Sequence, residues 1–159
     1  METQYWKYLK AIPHARSGEE VIQLLAPLTC EIGFQCCSYA LCTSFPIGNP
    51  RIALFSNYPP ELHEACSTQS YAKNPLLQHG MRGSSPLIWS DRIFAATQEF
   101  WRTARACGFC YGWTQSTFSG NSIVGVLTVA RACGRIDSQE LHTNSMIMTW
   151  LTHSIHLSL

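Results

Sequence analysis

Residues 108–130 read GFCYGWTQSTFSGNSIVGVLTVA, two strands joined by a polar turn. In the second strand Ile123, Gly125, Leu127 and Val129 alternate with Val124, Val126, Thr128 and Ala130, so neither set forms a wet face. Successive side chains point to opposite faces of a sheet, and a strand apolar on both is a central one covered above and below. The break at Phe118-Ser119-Gly120-Asn121-Ser122 carries hairpin-turn residues. Thr128 is a lone hydroxyl among aliphatics. It is either an ordinary β-former tucked into a core or a polar group facing an enclosed ligand.

The flanks predict helices. Upstream, Thr97 stands where it can cap a helix whose Phe100, Trp101, Ala104 and Cys107 line one face, with Phe94 placed as a hydrophobic staple. Downstream, Asp137 and Glu140 form a cap-and-box pair with Ile136 and Leu141 at the staple positions. Ile147, Trp150, Leu151 and Ile155 follow, predicting a last helix over residues 138–157, strongly apolar on one side.

Towards the N-terminus, Tyr5, Trp6, Leu9 and Ile12 suggest a short amphipathic helix closed by Pro13. Ser17 and Glu20 open a second, carrying Val21, Leu24, Leu25 and Leu28, which Pro27 is expected to bend or disrupt and Gly33 to end. Residues 34–43 and 51–56 read as strands about a turn at 45–49. Short helices are expected from Pro59-Pro60 to Cys66 and from Asn74-Pro75 towards Gly80, then a short apolar run, Leu87-Ile88-Trp89. Two hairpins among helices favour a mainly antiparallel sheet flanked by helices, an α/β fold in one domain. No GxGxxG or P-loop sequence is present.

The chain is 46% hydrophobic and 13% charged, with a formal net charge of +1. That charged share is about half the usual one, so some apolar surface is expected to meet a ligand, a partner or a second domain. The absence of a Lys/Arg cluster argues against a nucleic-acid footprint in these residues. The start METQYWKYLK is too polar for a signal peptide, and no run reaches transmembrane length. Eight cysteines without a secretion signal read as buried, reduced thiols of a cytoplasmic protein.

Catalysis has little to stand on. Cys107-Gly108-Phe109-Cys110 is a CxxC match, but it falls at a helix C-terminus, where the dipole opposes a thiolate. With Cys36, Cys37, His142 and His153 scattered, no zinc set is defined, and no other metal or cofactor is expected. His63, His79 and His156 have no HExxH or paired-carboxylate context, and no serine sits in a nucleophile elbow.

Aromatic density is the remaining feature: Tyr39, Phe55, Tyr58, Tyr71, Trp89, Phe94, Phe100, Trp101, Tyr111 and Trp113. An aromatic-rich core and a small-molecule cavity are both open readings, since such cavities have apolar walls and few oriented polar groups. Tyr58, Asn74, Trp89 and Thr128 supply candidates for those groups.

With NYPPEL at 57–62, YAKNPLLQHG at 71–80, PLIWSD at 86–91 and EFWRTARACGFCYGWT at 99–114, the chain resembles the N-terminal autoinducer-binding domain of LuxR-type quorum-sensing regulators. The resemblance covers nearly the whole chain. It implies an α/β/α sandwich around a five-stranded antiparallel sheet, with an acyl-homoserine lactone between the sheet and the helices on one face.

By the same resemblance, Tyr58 holds the acyl amide oxygen, Trp89 donates to the lactone carbonyl and Thr128 touches the amide region. Ser38 and Ser56 fall at polar pocket positions, Phe100 and Trp101 lie beside the lactone, and Gly112 matches a family glycine. Three positions depart from the pattern: Leu62 replaces a tryptophan, Cys66 a tyrosine, and Asn74 the aspartate that accepts the lactone amide N–H. Asn74 is expected to accept through its carbonyl oxygen without a charge, and the lost aromatics to widen the pocket.

The expected function is thus non-enzymatic: sensing a small acyl signal and coupling it to dimerisation and DNA binding. The family's helix-turn-helix domain is absent from residues 1–159, so DNA is reached only through a further domain. No membrane partner is expected. The alternative is a ligand-independent protein that forms mixed dimers with related regulators; a thiol enzyme using Cys107 or Cys110 is the weaker one.

Overall fold

The computed structural model describes residues 2–43, 51–67, 74–119 and 123–158, with side chains from Lys7 onward except that of Ser119. The expected turn at 45–49, the hairpin tip at 120–122, Tyr71, and the side chains of Tyr5 and Trp6 lie outside the described residues. The elements run α1 (Glu2–Ala11), a 3-10 turn (Ile12–His14), α2 (Gly18–Glu31), β1 (Cys36–Thr43), β2 (Arg51–Ser56), α3 (Pro60–Ser67) and α4 (Pro75–Arg82). They continue with β3 (Leu87–Ile88), α5 (Gln98–Ala106), β4 (Tyr111–Ser119), β5 (Ile123–Arg131) and α6 (Ser138–Ser158).

The five strands are ordered β2-β1-β5-β4-β3, each antiparallel to its neighbour. β5 is therefore the middle strand, and Val124 through Ala130 are all buried, as its doubly apolar pattern requires. Alternation along β1, β4 and β5 divides their side chains between two cores. Cys37, Tyr39, Trp113, Leu127 and Val129 pack with α2 and α6, while Cys36, Cys42, Val124, Val126 and Ala130 pack with α3, α4 and α5. The result is an α/β/α sandwich. Its second core holds the polar groups described below.

Local signals account for most element ends. Ser17 Oγ accepts from the Glu20 N–H (3.1 Å), and the Glu20 carboxylate reaches back to the Arg16 N–H (3.0 Å). Asp137 caps α6 through the Glu140 N–H (2.8 Å). The Glu140 carboxylate turns instead to Arg131, taking both ends of its guanidinium at 2.6 Å and tying the end of β5 to α6.

Two expectations are corrected. α2 runs unbroken through Pro27 to Glu31, because the missing N–H costs one bond within a turn of the helix end. Thr97 occupies the N-cap position of α5, but its side chain makes no cap bond and its buried Oγ1 has no partner among the described residues. The tertiary packing of Phe100, Trp101 and Ala104, all buried, holds the helix in place of the cap.

Gly125 explains how α6 reaches the sheet. A Cβ there would overlap Tyr39 Oη and come within 2.6 Å of His156 Nδ1. Its absence leaves room for the 3.2 Å bond between those two groups, which ties the last turns of α6 to β1.

Candidate functional site

Cross-strand neighbours in a sheet point to the same face. The register pairs Ser56 with Ser38, Ser38 with Thr128, and Thr128 with Thr114. Four hydroxyls thus form one row across β2, β1, β5 and β4, on the face covered by α3, α4 and α5. Ser38, Thr114 and Thr128 are each at most 3% exposed. In a low-dielectric layer such groups need partners, and each has one.

Ser38 Oγ and Tyr58 Oη lie 2.8 Å apart. Trp89 Nε1–H donates to Thr114 Oγ1 (3.3 Å), which in turn lies 3.0 Å from Thr128 Oγ1. The row therefore presents one hydroxyl bonded to a phenol and one hydroxyl pair bonded to an indole. Trp89 is seated by Gly112, where a Cβ would overlap its ring, and by the backbone bond from Trp89 N–H to Gly112 O (2.9 Å).

Phe94, Phe100 and Trp101 surround the Trp89 indole edge-on, with ring centroids 5.5, 5.6 and 6.2 Å away. Trp101 Nε1–H is held by Asp91 at 2.7 Å, at the rim of this aromatic wall.

Burial raises the Tyr58 phenol well above its ordinary 10.0, with the neighbouring Cys66 and Cys36 thiols adding to the shift and the Ser38 bond opposing it. Burial likewise pushes the Cys66 thiol up to about 12. At neutral pH Tyr58 and Cys66 are therefore uncharged, and Tyr58 is a donor-acceptor hydroxyl rather than a phenolate.

The remaining expected residues divide. Leu62 is fully buried and packs in this layer with Tyr58, Leu76, Leu77 and Trp89, and half-buried Cys66 lies against it. Ser56 sits at the margin: its Oγ bonds His63 Nδ1 (2.6 Å) and lines a cleft of about 360 Å³ with Glu19, Ile22, Gln23, Leu54, Phe55 and His63.

Asn74 is the correction. Its Oδ1 accepts from the N–H groups of Leu76 (3.0 Å) and Leu77 (3.2 Å), capping α4, so the oxygen expected to accept from a ligand is already committed. Thr114 was not among the sequence candidates. Its signal was present in the antiparallel pairing of a hairpin, which sets it opposite Thr128.

All eight cysteines are free, and Cys107 lies at the C-terminal end of α5. Among the described residues no three His, Cys, Asp or Glu side chains gather as a metal site, and no helix is long and apolar enough to cross a membrane.

A family model for the autoinducer binding domain matches residues 17–159. The chain belongs to the autoinducer-binding domain family. Its relatives in that family include the transcriptional activator AnoR of Acinetobacter nosocomialis, 31% identical over 163 residues that cover 100% of this chain and 68% of AnoR. The quorum-sensing regulator RhlR of Pseudomonas aeruginosa is 28% identical over 138 residues, covering 86% of this chain and 57% of RhlR.

Family membership extends to the fold. The crystal structure of CepR2, an N-acylhomoserine-lactone-dependent LuxR-family factor of Burkholderia cenocepacia, superposes with a TM-score of 0.84 at 23% identity, covering 99% of this chain and 94% of that one. The chain spans 46% to 68% of the length of the curated relatives it matches, and those relatives are transcription regulators, not enzymes.

Proposed function

We propose that this domain senses a small acyl signal enclosed between the sheet and helices α3–α5. The observation that carries the reading is the buried hydroxyl row with its phenol and indole partners, set inside an otherwise apolar layer. Small-molecule sites have this composition: apolar walls with a few fixed polar groups. Tyr58 with Ser38, and Trp89 with Thr114 and Thr128, orient the polar head. Leu62, Cys66, Phe100 and Trp101 shape the apolar wall, Asn74 adds a neutral contact, and Ser56 stands at the margin. No cofactor is required.

Occupancy stabilises the folded domain by mass action and biases dimerisation and DNA binding by an attached helix-turn-helix domain. The dimer surface is α6. Met146, Trp150 and Leu157 are 84%, 42% and 72% exposed, and no Asp, Glu, Lys or Arg follows Glu140 along this helix. That uncharged outward stripe suits a second copy, and it also favours the alternative of a mixed dimer with a related regulator.

Thermal denaturation with a panel of acyl-homoserine lactones and acyl esters tests the sensor. A rise in Tm that grows with ligand concentration is expected, and loss of that rise in Tyr58→Phe and Trp89→Phe. No stabilisation at saturating concentrations of any ligand, alongside tight binding to a related regulator, would leave the mixed-dimer reading standing alone.

A further inference from the structure

We infer that the site selects an acyl ligand whose head offers acceptors only, so that an O-acyl ester is bound in preference to the N-acyl amide of the same shape. The inference rests on the acyl-sensor reading above and concerns which atom links the acyl chain to its head.

Hydrogens and lone pairs in the layer decide the preference. Ser38 and Tyr58 share one bond between two hydroxyls, so one O–H is left over whichever of them donates. Thr114 and Thr128 are in the same position, because Trp89 Nε1 brings its own hydrogen. The row therefore offers two spare O–H donors, which suit carbonyl oxygens. A trans amide points its N–H away from its C=O, so an amide whose oxygen rests on the row turns its N–H towards the helices.

The helical side is poor in acceptors. The buried polar side chains among the described residues include no carboxylate. Asn74, at the start of α4, has a single acceptor atom, and both lone pairs of its Oδ1 are taken by Leu76 and Leu77 N–H. The other polar group of Asn74, Nδ2, carries hydrogens only and can donate but not accept. A donor facing an amide N–H leaves the ligand's hydrogen buried and unpaired; an ester has no such hydrogen, and its oxygen can accept from the donor. An aspartate in this place caps with one oxygen and keeps the second for an N–H. The change from carboxylate to carboxamide thus reverses the polarity of the contact.

The test is a matched pair, N-octanoyl-homoserine lactone and α-octanoyloxy-γ-butyrolactone, which differ by NH against O. Each is titrated calorimetrically into the native chain and into Asn74→Asp. Asp and Asn cap helices equally well, so the variant retains α4. The native chain is expected to bind the ester about tenfold or more tightly than the amide, the cost of one buried unpaired N–H. Asn74→Asp is expected to reverse that order.

Equal or tighter binding of the amide by the native chain overturns the inference and leaves the sensor reading intact; Thr97 Oγ1 is then the acceptor to test. An ester preference that persists unchanged in Asn74→Asp overturns the assignment to Asn74. Binding of neither compound, by either protein, overturns the inference together with the acyl-sensor reading on which it rests. If the variant fails to fold, the native pair alone still decides between ester and amide.

Discussion

Thr114 and Thr128 face each other across β4 and β5, and their hydroxyl oxygens lie 3.0 Å apart at 1% and 2% exposure. Thr114 is also the acceptor for the Trp89 indole N–H. Thr114→Val keeps the shape of the side chain and strands that N–H in an apolar layer. The expected loss is about 1–3 kcal/mol in urea unfolding, whereas Thr114→Ser stays close to native. A loss below about 0.5 kcal/mol for the valine variant would mean that the indole finds another acceptor.

The Ser38–Tyr58 pair makes a different prediction, because either partner can be the donor. Ser38→Ala and Tyr58→Phe each leave one buried hydroxyl with a bond fewer and are expected to cost about 1 kcal/mol or more. The double variant removes both groups and is expected to cost less than the sum of the singles, by about 0.5 kcal/mol or more. Simple additivity would show that the two hydroxyls do not depend on each other.

How legible this layer was in the sequence depends on the kind of signal each residue carries. The double apolar alternation of residues 123–130 placed β5 inside the sheet, since only an interior strand covered above and below buries both faces along its length. Thr128 stood out against that background. Thr114 did not, because β4 alternates aromatics with hydroxyls and Gln115, so one more hydroxyl there carries no contrast; only pairing brings it opposite Thr128.

Asn74 was legible as a helix start and, by resemblance, as a ligand contact, but not as both at once. Which lone pairs the cap consumes is a matter of geometry. Thr97 misled for a related reason: the residue type favours a cap, but its φ of −131° and ψ of 59° accompany a side chain that makes no cap bond. Propensity there yields to the packing of Phe94 against Trp101, stacked at 4.9 Å.

On the opposite face of the sheet, His156 gives the chain a defined acid sensitivity. Burial, aided by the neighbouring His153, lowers its pKa below the ordinary 6.5. The unfolded chain therefore takes up a proton first as pH falls. Stability due to neutral His156 is fully present above pH 6.5 and is lost as pH falls through the lower folded-state value. Unfolding measured at pH 7.5 and pH 5 is expected to show a larger loss for the native chain than for His156→Gln, in which the titrating ring is gone. Equal losses would place the acid sensitivity in other groups.

Gly125 lies on the middle strand at the point where Tyr39 and His156 meet. A methyl group there overlaps the Tyr39 hydroxyl, and neither β1 nor β5 can give way, since each is paired on both sides. Gly125→Ala is expected to cost about 1–3 kcal/mol, the usual penalty for overpacking a filled core. Its effect should centre on the last turns of α6, read as faster amide exchange near His156 than in β5. Tyr39→Phe removes the oxygen that the new methyl meets, so adding it to Gly125→Ala should recover part of the loss even though Tyr39→Phe alone sacrifices the bond to His156. If the second change deepens the loss instead, the constraint on Gly125 comes from the two rings that remain, with His156 Nδ1 2.6 Å and residue 39 Cζ 2.8 Å from the same Cβ position.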